Sequence, residues 1–149
     1  MKRVFLSALA IFATSVGACV YHGEGYVYNA EPPAGSLATV VKSKSYERSG
    51  VLKPVPELSG DAAFRRVGWW LQLLANKFPE VGVKQTFVYL SDIELWAYYD
   101  IDERTSIFIE DEPVDDGGWE YPYMTMTEVT LYSIISGEVS VSAAAKAMV

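Results

Sequence analysis

The feature that most limits what this chain can fold into is a change of hydrophobic period at Pro79. Before it, Phe64, Val67, Leu71, Leu74 and Phe78 recur at alternating spacings of three and four. That spacing places them on one face of a helix. The reading is a helix over 60–78, with Ser59 or Asp61 able to cap its start and Asp61 suiting the positive end of its dipole. Pro79 stops it. Trp69 and Leu73 lie off the main stripe, on a widened apolar face or a ridge for a partner.

After Pro79 the period becomes two. Lys84–Leu90 reads as a strand. Ile93, Leu95, Ala97, Tyr99 and Ile101 then alternate with Glu94, Trp96, Tyr98 and Asp100, and Ile107 and Ile109 alternate with Ser106, Phe108 and Glu110. The insert Asp102-Glu103-Arg104 predicts a hairpin. Setting Tyr98 opposite Phe108 brings Ile107 beside Tyr99 and Ile109 beside Ala97, so every side chain keeps its face. The expected fold is α+β: one long amphipathic helix on a three- to four-stranded antiparallel meander. The outer sheet face would carry Trp96, Tyr98 and Phe108 among acids.

The flanking segments are less patterned. Ser36–Val41 reads as a strand and 42–60, with Pro54 and Pro56, as loop. Residues 111–122 form an acidic loop. Thr125 and Glu128 fit a capping box opening a helix that runs through Ser136 and stops at Gly137, although the β-branched content of 128–135 also allows a strand. Ser140 or Ser142 would cap a last short helix over 143–148.

With 149 residues, half of them hydrophobic, the chain can bury a core. It holds one cysteine and one histidine, which excludes an internal disulfide and any multi-cysteine zinc site. His22 falls in the expected tether, three residues after Cys19, where nothing could orient it as a base. The run Asp100–Thr105 opens like a calcium loop but places Arg104 and Thr105 where a ligand and a glycine are required. No metal or cofactor is expected. Paired carboxylates about 5–10 Å apart would be needed for a hydrolase, and the acids here fall on a hairpin face and a loop.

The first eighteen residues have the layout of a secretory signal peptide: Lys2 and Arg3, an apolar run from Val4 to Val16, then Gly17 and Ala18. The run is short for a membrane span, which needs roughly 20 apolar residues. Val16-Gly17-Ala18-Cys19 resembles a bacterial lipobox, so the signal identifies the chain as similar to bacterial lipoproteins in these residues alone. The resemblance implies cleavage before Cys19 and acylation of its sulfur and amino group. Ordinary signal-peptidase cleavage after Ala18, giving a soluble secreted protein, is the alternative. By resemblance to enterobacterial sorting, Val20 in place of Asp directs such a lipoprotein to the outer membrane, facing the periplasm. Residues 19–35, rich in Gly, Tyr and Pro, would be a tether, and 36–149 a single domain.

Without Lys2 and Arg3 the net charge moves from −7 to −9. Residues 41–84 hold eight bases and four acids, whereas 85–122 hold eleven acids and only Arg104. That acidic half disfavours nucleic acid and suits a basic protein partner. The expected job is non-catalytic: binding another protein from the envelope, as an immunity- or inhibitor-type lipoprotein would, through Trp96, Tyr98, Phe108, Asp100, Glu110, Asp115 and Trp119. Stacking of the same aromatics on a cell-wall glycan is the alternative.

Overall fold

The structure, a computed structural model, describes residues 32–102, 106–110 and 123–148, with 106–110 and 145–148 described in backbone only. Residues 1–31, with the expected leader, Cys19 and most of the expected tether, residues 103–105 of the expected hairpin insert, and residues 111–122, with Asp115 and Trp119, lie outside the described residues. The chain is α+β: helices α1 (Ser36–Arg48) and α2 (Gly60–Ala75), a 3-10 turn at Pro79–Val81, strands β1 (Gln85–Leu90), β2 (Leu95–Asp100), β3 (Ser106–Glu110) and β4 (Tyr123–Met126), then helices α3 (Glu128–Ile135) and α4 (Val141–Met148).

The strand order is β3-β2-β1-β4. β1–β2 and β2–β3 are antiparallel, with Tyr98 opposite Phe108, Tyr99 opposite Ile107 and Ala97 opposite Ile109, the register that alternation predicted. β4 was not expected, and it corrects the all-antiparallel meander. It lies parallel to β1, pairing Phe87 with Tyr123 and Leu90 with Met126, so the sheet is mixed. Its four residues are too few for alternation to stand out in sequence. They include Thr125, which therefore cannot open a capping box. Thr127 is the N-cap of α3, its hydroxyl accepting from the Thr130 N–H. α3 then ends beside Gly137, whose φ of 81° is the left-handed conformation glycine adopts without a Cβ penalty. Ser140 caps α4 by accepting from the Ala143 N–H at 3.1 Å.

One sheet face holds the core. Val88, Leu90, Leu95, Ala97, Tyr99 and Met126 meet Val67, Leu71, Leu74 and Phe78 of the α2 segment, with Leu131 and Ile134 of α3 and Val141 and Ala144 of α4 completing the cluster. Phe78 and Tyr99, both fully buried, pack edge to face with ring centres 4.7 Å apart. The predicted stripe needs two corrections. α2 ends at Ala75 and turns into the 3-10 segment begun by Pro79. Phe64 is 45% exposed, and Ala63 takes the inward position in the first turn.

The segment 36–48, read as strand and loop, is instead a helix, and its polarity is reversed. Its buried residues are Ser36, Thr39 and Ser43. The Thr39 and Thr125 hydroxyls share a hydrogen bond at 2.9 Å, and the Ser43 and Thr127 hydroxyls share one at 2.6 Å. Hydroxyls spaced three and four apart make the inner face, so a periodicity of apolar residues gives no sign of this helix. Among the described residues no helix is long and apolar enough to cross a membrane.

Candidate functional site

The second sheet face is built from the alternate residues of the same strands, since a pleated strand points successive side chains to opposite faces. Register places Tyr123, Phe87, Tyr98 and Phe108 in one row across all four strands. The next row holds Thr125, Tyr89, Trp96 and Glu110. On the other side of the aromatic row, Gln85, Asp100 and Ser106 are aligned. An aromatic row thus crosses the sheet with acidic positions, Asp100 and Glu110, two residues to either side.

The rings support one another. Phe87 and Tyr98 lie 4.9 Å apart between centres, Tyr89 and Trp96 4.7 Å, and Trp96 meets Tyr123 edge to face at 6.0 Å and Phe87 at 6.2 Å. Such offset and edge contacts add about 0.5–1.5 kcal/mol per pair beyond area burial. They also restrict ring rotation, so the face is pre-organised. Polar contacts extend the constraint. Gln85 Nε2 donates to the Tyr98 hydroxyl, which donates to Asp100 Oδ2 at 3.0 Å. The Asp102 backbone N–H donates to Asp100 Oδ1 at 2.8 Å.

The expected site residues are placed as follows. Tyr98 and Asp100 sit together, half-buried and hydrogen-bonded. Trp96 does not face solvent as expected: it is only 5% exposed, packed among Phe87, Tyr89 and Tyr123, and it acts as the floor beside the row. Phe108 and Glu110 hold the register positions the reading gave them. Asp115 and Trp119 lie outside the described residues. Sequence reasoning missed Phe87 and Tyr123. Phe87 was accessible from the Gln85-Phe87-Tyr89 alternation once β1 is paired to β2, whereas Tyr123 joins only through the parallel β4 pairing.

A second polar cluster lies at the start of α3. Both oxygens of Asp92, in the β1–β2 turn, accept from the Glu128 N–H at 3.1 and 3.0 Å. A carboxylate there suits the positive end of a helix. Burial raises the Asp92 carboxyl to about 6; its bonds to the Glu128 and Asp92 backbone N–H groups and the charge of Lys44 oppose the rise, and the Glu128 charge adds to it. Glu128 pairs with Arg66 at 3.0 Å, both side chains 14% exposed, and the Arg66 guanidinium lies 4.8 Å over the Trp70 ring. These partners are 36 and 62 residues apart, and no spacing in the sequence announces them. Arg66 also donates to the Pro56 carbonyl oxygen, so the cluster fastens α2, α3, the turn and the segment before α2.

A largely apolar cavity of about 290 Å³ lies among α1, α3, α4 and the segment after α1, lined by Thr39, Ser43, Tyr46, Leu52, Val139 and Ala144. Among the described residues no three His, Cys, Asp or Glu side chains gather as a metal site. The arrangement richest in recognition chemistry is the aromatic row with its acids. An aromatic face beside a fixed carboxylate receives a guanidinium or ammonium group by cation–π attraction and a charge-assisted hydrogen bond. Compared with protein-family models, with curated proteins and with solved structures, the chain matches none.

Proposed function

We propose that the chain is a non-catalytic, lipid-anchored envelope protein whose aromatic and acidic sheet face binds a basic protein, in the manner of an immunity- or inhibitor-type lipoprotein. The observation that carries it is the row Tyr123, Phe87, Tyr98 and Phe108 with Asp100 held beside it by Tyr98 and the Asp102 N–H. Rigid rings provide contact area at low entropic cost, and acids steer a basic partner to them. The anchor is the acylated Cys19, and the partner would be met on the periplasmic side of the outer membrane.

The test is photo-crosslinking in the producing cell, with the cross-linker at position 123 of the full chain. Mass spectrometry should find one basic envelope protein attached. Asp100→Lys with Glu110→Lys should reduce the adduct at least tenfold, as should raising salt from about 50 to 300 mM, because screening shortens the reach of the acids. An adduct indifferent to both changes refutes an acidic docking face.

The partly exposed rings of Tyr123 and Tyr98 also support a glycan reading. Retention on peptidoglycan that vanishes with Tyr98→Ala and Tyr123→Ala, while ignoring salt, would favour it over a protein partner.

A further inference from the structure

Helix α1 is turned inside out: its inner face is polar and its outer face carries exposed apolar residues. Its inner hydroxyls are locked to Thr125 and Thr127, so the helix cannot roll to hide its apolar side. Leu37 and Val41, one turn apart on the outer face, are 78% and 60% exposed. A soluble helix normally buries such residues and leaves Ser and Thr in water. The same outward stripe continues into Lys44 and Arg48, both exposed, and Glu47 pairs with Lys44 at 3.0 Å. With Lys42, α1 carries three bases and one acid, in a chain whose overall charge is −7. α1 is not a strongly amphipathic helix, but a stripe of two exposed apolar residues and two cations can rest on a lipid surface, the apolar side chains at the headgroup boundary and the cations meeting anionic lipid.

The position in the chain names the same occupant. Ser36, the first residue of α1, stands seventeen residues after Cys19. Seventeen residues span at most about 60 Å fully extended. A domain tied to a bilayer at Cys19 therefore meets that bilayer with α1 at high effective concentration, and a stripe too small to bind membranes alone suffices once tethered. We infer that the outer face of α1, through Leu37, Val41, Lys44 and Arg48, docks on the anionic surface of the membrane that holds the anchor and thereby orients the domain. This inference rests on the lipid-anchor reading of Cys19. The charge of the stripe agrees with it: Lys44 and Arg48, both exposed beside Leu37 and Val41, would meet anionic lipid.

The test uses the full-length processed protein reconstituted in phosphatidylethanolamine–phosphatidylglycerol vesicles. Spin labels are placed at Ala38→Cys, on the outer face of α1, and separately at Asp102→Cys, at the end of β2. Accessibility to oxygen and to a polar nickel complex then reports depth. The expected result is a label at 38 in the headgroup layer and one at 102 in water. Leu37→Ser with Val41→Ser should return the label at 38 to water while the protein still floats with the vesicles. A label at 38 that is aqueous in the unsubstituted, floating protein overturns the docking and leaves the anchor standing. Dipolar broadening between labels at 38 overturns it in favour of a second copy of the chain covering the stripe. A protein that fails to float, with a thiol at Cys19 free to take the label, shows that the anchor itself is absent and removes the premise.

Discussion

Thr127→Val tests the reason α1 folds with its hydroxyls inward. The Thr127 hydroxyl does three things at one buried point. It shares a 2.6 Å bond with Ser43, lies 3.2 Å from the Thr130 hydroxyl, and accepts from the Thr130 N–H at 3.4 Å as the N-cap of α3. Valine keeps the shape and removes the oxygen. Loss of an N-cap acceptor costs about 1 kcal/mol. The Ser43 hydroxyl, in a residue only 3% exposed, is then left without its partner, which costs about 1–3 kcal/mol. Together the expected destabilisation is about 2–4 kcal/mol. With a urea dependence of about 1–3 kcal/mol per molar for a domain of this size, the unfolding midpoint should fall by about 1–2 M. Circular dichroism of the detergent-solubilised chain reads it. Adding Ser43→Ala removes the orphaned hydroxyl, so the double variant should recover about 1 kcal/mol relative to Thr127→Val alone. If the single variant stays within about 0.3 M of the parent midpoint, or the second substitution simply adds its own loss, the hydroxyl contacts do not hold α1 and the explanation of its orientation is wrong.

Two further outcomes follow from the α3 cluster. Arg66→Ala removes the partner of Glu128 and the cation over Trp70, and should lower stability by about 2 kcal/mol, given that the pair is mostly but not fully buried; Arg66→Lys should recover only part, lacking the planar fork, and thermal unfolding followed by tryptophan fluorescence distinguishes them. Asp92 gives a pH dependence. Its carboxyl is raised from 3.8 to about 6 in the folded chain, so the folded state binds this proton more tightly than the unfolded state does. Its contribution to stability is therefore complete below 3.8, and is lost as pH rises through about 6. Solvent still reaches the residue, which limits the effect to about 1 kcal/mol or less. Comparing urea midpoints at pH 4.5 and 7 for the parent and Asp92→Asn should show this increment in the parent alone; an identical pH response in both would contradict it.

The division between sequence and structure runs along the range of the interactions. The β2–β3 register was legible because a one-residue slip would carry Ala97, Tyr99, Ile107 and Ile109 to the wrong face. Helix α2, the stop at Gly137 and the Ser140 cap were legible because local periods and caps act within a few residues. α1 was not, since its periodicity is written in hydroxyls whose partners, Thr125 and Thr127, lie 86 and 84 residues away. The site divides the same way. Alternation put Tyr98, Phe108, Asp100 and Glu110 on one face. Only the parallel pairing of β4 adds Tyr123, and only packing turns Trp96 from a solvent-facing ring into a buried one.

What the residues settled alone was the α+β class, the faces of the hairpin and the charge contrast between its halves, because period and charge are properties of neighbours along the chain. Which faces are covered was decided by tertiary contacts, because covering is a relation between segments far apart in sequence. A helix that hides serines and shows leucine follows no local preference; it exists because two threonines elsewhere in the fold complete its hydrogen bonds.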